Sequence, residues 1–236
     1  MRIWMQTIFP SAVTMSLYFV IFGNLIGSRV GRIGGYDYMQ YLAPGLIMMA
    51  VITNAYNNVV SSFFGAKFQR HLEEILVAPI PDYVILCGYV SGGALRGLLV
   101  GMLVTVVALF FTRLHISSAL IVISVVILTA ILFSLAGFIN GVFAKNFDDI
   151  SVVPTFVLTP LTYLGGVFYS IDMLPEFWRS ASMANPILYM VSAFRYGILG
   201  VTDIPIATSF TVILLFVVGL FWVSLYLLKH GVGIRA

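Results

Sequence analysis

An all-helical protein that crosses a membrane several times is the fold class this sequence predicts, and three observations carry it. Hydrophobic residues make up 61% of the 236 positions and charged ones only 9%, where a soluble domain carries about a quarter charged. Mean hydropathy is +1.06. Apolar runs long enough to cross about 30 Å of hydrocarbon recur along the whole chain, which reads as a single membrane domain over 1–236.

Six runs qualify as spans: 8–27, 41–64, 94–111, 119–144, 150–168 and 207–228. The first is too long, and too closely followed by others, to be a secretory signal. The stretch from Asp82 to Leu114 exceeds one simple span, so its first part reads as helix lying at or rising from the interface. Arg96 then falls near the membrane boundary, where its stem can snorkel. The fifth run contains Pro154 and Pro160. Between the fifth and sixth, 169–206 is broken by Pro175, Pro186 and Pro205 and cannot span as one helix. It reads as a re-entrant helical hairpin, its turns tolerated where protein or water surrounds them.

An even number of spans puts both termini on one face. With the termini inside, Arg2, Lys67, Arg70, Lys145, Lys229 and Arg235 are cytoplasmic, against Arg29, Arg32, Arg113, Arg179 and Arg195 outside. All three lysines fall inside, which favours cytoplasmic termini. The net charge of +3 is too small and scattered for a nucleic-acid footprint but suits contact with membrane lipid.

Charge concentrates in KFQRHLEEILVAPIPD, Lys67 to Asp82. Phe68, Leu72, Ile75 and Leu76 fall on one face of a helix, and Gln69, Arg70, Glu73 and Glu74 on the other. Such a helix can lie on lipid headgroups or seat against a protein. Its adjacent glutamates suit an anionic lipid surface poorly, which leaves a protein partner as the rival reading.

Within the spans, Asn54, Asn57, Asn58 and Ser61 recur at roughly helical spacing, as do Thr155, Thr159 and Tyr163. Interhelical hydrogen bonding, worth about 0.6 kcal/mol each in membranes, explains any one of them; a polar pathway explains the stripe. Glycines at Gly93, Gly97 and Gly101, with the pairs Gly23/Gly27 and Gly137/Gly141, predict close helix packing within one chain.

Several chemistries lack their residues. No GxxxxGK[ST] phosphate loop occurs, so the chain itself holds no nucleotide by that device. The three histidines lie in separate loops and Cys87 is alone, which disfavours a metal site. Ser91 has no histidine in any span to activate it, so an intramembrane enzyme is the weakest reading. The spans contain no Asp or Glu of the kind that couples transport to protons or sodium. Any energy source therefore lies outside this chain.

Three segments carry a family resemblance. LEEILVAPI, Leu72 to Ile80, resembles the L-E-x-L-L-x-T-P-I pattern after the second span of ABC-2 type transporter permeases. YLGGVFYSIDMLPEFWR, Tyr163 to Arg179, is similar to that family's segment ending the fifth span, and NPILYMVSAFR, Asn185 to Arg195, to its segment before the sixth. Family members often carry glycine where this chain has Arg70 and His71, and most have an amphipathic helix before the first span. The near absence of that helix here suggests a shortened chain or an internal start.

The resemblance implies an inner-membrane permease, not itself an enzyme, that works as a dimer with a separate cytoplasmic ABC ATPase and exports a substrate. ATP and Mg would sit on that partner and no cofactor on this chain. The family's coupling helix would correspond to 67–77, with Lys67, Arg70, His71, Leu72, Glu73, Glu74, Ile75 and Leu76 at the contact. Leu72, Ile75 and Leu76 would fill the ATPase groove. The pathway would lie between the second and fifth spans, on Asn54, Asn57, Asn58, Ser61, Thr155, Thr159 and Tyr163. Asp172, Glu176 and Arg195 in the external hairpin would gate it, although a merely stabilising lid fits the same residues. The rival function is a channel or passive carrier with no ATPase partner.

Overall fold

The computed structural model describes residues 2–233, and the side chains of all of these except 2–8, Asn24, Ser28 and Leu76. The side chains of Arg2 and Leu76, and the whole of Arg235, thus lie outside the described residues.

The chain is nearly all helix. α1 (Arg2–Tyr18) runs through a π-helical stretch, Phe19–Ile26, into α2 (Gly27–Val30). The backbone stays right-handed at Tyr18 and Gly27, so the three pieces form one rod. A two-stranded hairpin follows, with β1 (Arg32–Ile33) antiparallel to β2 (Tyr36–Asp37). Gly34 and Gly35 turn between them at φ +58° and +86°, the paired left-handed conformation that two-residue hairpin turns require.

Then come α3 (Tyr38–Phe68), α4 (His71–Val77), α5 (Asp82–Phe111) and α6 (Ala119–Phe143). α7 (Asp149–Val153) passes through a second π stretch, Pro154–Leu158, into α8 (Thr159–Leu164). Pro160 has no N–H to offer the carbonyl four residues back, and the helix widens there: Thr159 N–H bonds Pro154 O instead. A 3₁₀ turn at Ile171–Met173 leads to α9 (Glu176–Met183), α10 (Pro186–Leu199) and α11 (Ile206–His230).

Three of these helices, α5, α6 and α11, are long and apolar enough to cross a membrane. α3, at 31 residues, has the length, but its three asparagines lower its hydropathy and more than half of it is buried inside the protein. The rod α7–α8 has 16 residues, about 24 Å of rise, and ends at Leu164, short of the Phe168 that hydropathy suggested.

α5 is one helix from Asp82 to Phe111; the stretch read as interfacial forms its first three turns. Arg96 lies fourteen residues from its start and fifteen from its end, not near an end, and turns inward to donate from Nη1 to Asn58 Oδ1 at 3.1 Å. A cation in the middle of an apolar helix finds its partner on the neighbouring helix.

α3 is the axis of the fold, packed by α5, α6 and α10. The glycine stripes bring α5 and α6 close to it. A Cβ at Gly97 would sit 2.9 Å from Ala55 Cβ, and one at Gly137 would sit 2.5 Å from Tyr56 O. Both stripes are therefore seams within the chain, as the sequence predicts, where small residues let backbones approach and dispersion contacts accumulate.

Candidate functional site

Three polar regions stand out against this apolar frame. The first is the end of α3 and the short α4. Gln69 closes α3, and Arg70 takes the left-handed conformation, φ 61°, before α4 begins. A non-glycine residue there costs roughly 1–2 kcal/mol, a physical reason for the glycine that the resemblance leads one to expect at this turn. Leu72 is 2% exposed and packs with Phe63, Leu86 and Phe138. Leu72, expected at the ATPase contact, is thus covered within this chain. Ile75 is half-buried and Val77 lies in the open.

The polar face of α4 is different. Arg70, His71, Glu73 and Glu74 are all exposed, and among the described residues none has an ion pair or a side-chain hydrogen bond. Lys67 does not join them. Its ammonium donates to Val142 O at 2.7 Å and Ala144 O at 3.0 Å, capping the end of α6. Burial and, after it, the nearby Lys145 push its pKa below the ordinary lysine value. Lys67 is a strut between α3 and α6.

The second region is a cleft between α3 and the α7–α8 rod. Asn57, Ser61, Ser151 and Thr155 line a cavity of about 410 Å³ together with Pro154. Of the polar stripe, Asn57, Ser61 and Thr155 thus share one space, and Ser151 is an addition that the sequence did not single out. The other members separate. Asn54 donates to Ala50 O and to Ser11 Oγ of α1. Asn58 faces Arg96. Thr159 donates to Pro154 O at 2.9 Å, and the Tyr163 hydroxyl lies 3.4 Å from that of Tyr18. A helix places neighbours three and four apart on one face, so Asn54, Asn57, Asn58 and Ser61 share a stripe but point to three different helices.

The third region lies at the opposite end of α3. Asn185 caps α10, its Oδ1 accepting from Ile187 N–H at 3.0 Å with Pro186 at the first helical position, the arrangement both residue types favour. Its amide nitrogen donates to Leu161 O, tying α10 to α8. Gly166, at φ +71°, turns the chain after α8, and its carbonyl accepts from Arg195 Nη2 at 2.6 Å.

Arg195 is 1% exposed. Its Nη1 lies 3.6 Å from Asp203 Oδ2, and its guanidinium sits 3.9 Å over the Tyr41 ring. Asp203 also accepts from the Tyr41 hydroxyl at 3.3 Å and from Ser170 Oγ at 3.1 Å. Burial pushes the pKa of Arg195 down, while Tyr41 and Asp203 pull it up. The guanidinium stays charged in proteins, so the network must hold an ion pair.

The three residues expected to gate are not brought together. Asp172 pairs with Arg179 at 3.1 Å in the open. Glu176 is exposed and makes no ion pair among the described residues. Arg195 is locked inside. Sequence reasoning missed Tyr41 and Asp203, although one signal was present: Arg195 lies in PILYMVSAFRYGIL with apolar neighbours on both sides, and a cation so placed needs a buried anion.

A helical bundle with three helices long and apolar enough to cross a membrane has the outline of an integral membrane protein. The chain belongs to the ABC-2 type transporter family, whose model matches residues 1–199. It is 61% identical over 236 residues to the inner membrane transport permease YadH of Escherichia coli (strain K12), covering 100% of this chain and 92% of that one. Similarity extends to nodulation protein J of Rhizobium leguminosarum bv. viciae, 25% identical over 215 residues, 91% of this chain and 83% of that protein. Nodulation protein J of Sinorhizobium fredii is 26% identical over 216 residues, 91% and 82% respectively. The chain is thus an inner-membrane transport permease.

Proposed function

We propose that this permease is the membrane half of an ATP-driven exporter. Two copies, each with six spans and both termini in the cytoplasm, enclose a pathway at their shared axis. Each copy seats α4 on a cytoplasmic ABC ATPase, which holds ATP and Mg; this chain carries no cofactor. Nucleotide binding favours one permease conformation and hydrolysis another, and α4 transmits that preference to the bundle.

The observation that carries the reading is the division of labour in α4. Leu72 clamps the helix to the bundle through Phe63 and Leu86, while Arg70, Glu73 and Glu74 stand outward without ion-pair partners among the described residues. A stub that is rigidly tied on one face and charged on the other suits a docking contact in which charges set register and orientation. The exposed His71 and the half-buried Ile75 complete the rim, and Leu76 is assigned to the same contact from sequence. Leu72 and Lys67 act within the permease, as the clamp and the strut behind it.

The pathway follows the cleft of Asn57, Ser61 and Thr155, with Asn54, Asn58, Thr159 and Tyr163 supporting its walls. The hairpin 169–206 dips back from the outer surface and closes the pathway from outside. There Asp172 and Glu176 face the exit, and Arg195 holds the hairpin on α3.

Co-purification tests the reading. Wild-type permease is expected to recover an ATPase whose activity depends on it, and Glu73→Arg with Glu74→Arg to lose both the association and export. Full association of that double variant, or export by the permease with no ATPase present, would overturn the proposal in favour of a channel or passive carrier.

A further inference from the structure

α11 packs chiefly on α6 and α10, and a long groove stays open beside it along α5. Two cavities follow each other there. The larger, about 700 Å³, is walled by Leu86, Gly88, Leu95 and Leu98 of α5, Ile131 of α6 and Phe221 of α11, and its lining is almost entirely apolar. From Leu86 to Leu98 it rises about 18 Å, close to the depth of one leaflet of a hydrocarbon core about 30 Å thick.

The second cavity, about 580 Å³, lies at the start of α5 and the end of α11, one turn beyond Leu86 and Phe221 of the first. Its walls change character. Tyr83, Trp222 and Tyr226 are aromatic, and Asp82 and Lys229 bring one charge of each sign. Amphipathic aromatics of this kind concentrate at the membrane–water interface. Neither Asp82 nor Lys229 forms an ion pair among the described residues, although both line the same space. His230 also lines it, with its Nδ1 3.0 Å from Tyr226 O.

We infer that this groove is a binding site for a phospholipid whose headgroup carries both a phosphate and a primary amine. One acyl chain lies between α5, α6 and α11, the phosphate meets Lys229, and the ammonium meets Asp82. An acid and a base held apart in one pocket match a zwitterion better than an anion, which Asp82 would repel. The occupant bridges two helices that pack lightly on each other. The inference rests on the membrane location of the chain and not on its coupling to an ATPase.

The test is native mass spectrometry of the full chain in mild detergent, titrated with phosphatidylethanolamine or phosphatidylglycerol of identical acyl chains. One lipid is expected to stay bound per chain, with phosphatidylethanolamine held about fivefold more tightly, the scale of a solvent-accessible ion pair. Asp82→Asn abolishes that preference, and Lys229→Gln weakens both lipids. A Cβ at Gly88 meets no atom within 4 Å, so Gly88→Phe fills the groove and weakens both lipids while keeping the preference. Leu95→Trp, on the exposed wall, repeats that test should Gly88→Phe fail to fold. Equal retention of the two lipids by the wild type, or an unchanged preference in Asp82→Asn, overturns the inference. So does binding of soluble phosphoethanolamine as tight as that of the lipid, or a dimer mass that Gly88→Phe removes, which would assign the groove to a second copy.

Discussion

The two ends of α3 treat charge in opposite ways. At one end Arg195 and Asp203 are closed into a network with Tyr41, Ser170 and the Gly166 carbonyl. At the other, about 39 Å away along the helix, Arg70, Glu73 and Glu74 stand in the open with no partner among the described residues. A buried charge must be paired or it destabilises the fold, so the first end holds structure. A solvated charge costs nothing unpaired and contributes little to stability, so the second end is free to serve a contact.

Breaking the closed end has the largest expected effect. Arg195→Ala removes the buried cation from the network and leaves the largely covered Asp203 without it, and is expected to cost about 3–5 kcal/mol, read as a large drop in melting temperature in detergent. Arg179→Ala, which breaks the exposed pair with Asp172, is expected to cost under about 1 kcal/mol. Equal losses from the two would abolish the distinction between locked and solvated charge on which the comparison stands.

Leu72 comes next, because it belongs to the open end yet is buried like the closed one. Leu72→Ala is expected to lose about 2–5 kcal/mol, the range for truncating a core aliphatic residue, while Val77→Ala, 86% exposed in the wild type, leaves melting nearly unchanged. Loss of ATPase association by Leu72→Ala without loss of stability would return Leu72 to the partner's groove. Gly97→Leu is expected to cost about 1–3 kcal/mol by pushing α5 off Ala55, a check that the closed packing extends along α3.

The smallest effects fall at the exposed stub. Arg70→Gly relieves a left-handed non-glycine residue and is expected to raise stability by up to about 1 kcal/mol. Glu73→Arg should shift stability by no more than about 0.5 kcal/mol while reducing association with the ATPase. A large stability change for Glu73→Arg would mean that the open end is structural as well.

Much of this was legible along the chain. The apolar runs marked the long helices, since length and hydropathy are local properties, and the period of Leu72, Ile75 and Leu76 marked α4 as amphipathic, although Phe68, read on the same face, closes α3 instead. The glycine stripes foretold the α3 seams. Reading which way α4 faced was harder: an apolar face can seat on a partner or on its own bundle, and periodicity does not distinguish them. The polar stripe of α3 met a related limit, because residues three and four apart diverge enough in angle to reach α1, α5 and α7 separately.

What the sequence by itself determined is therefore where the long apolar helices run, the glycine seams on α3 and the membrane location. Each follows from propensity, side-chain chemistry or hydropathy over a few neighbouring residues or one span. Only the tertiary structure decided which charges are spent inside. Lys67 reaches the carbonyl of a residue 75 positions away, and Tyr41 closes on an aspartate 162 positions away. Such pairs form because low-dielectric packing compels each buried polar group to find whatever partner the fold brings near, and no local pattern encodes which one that is.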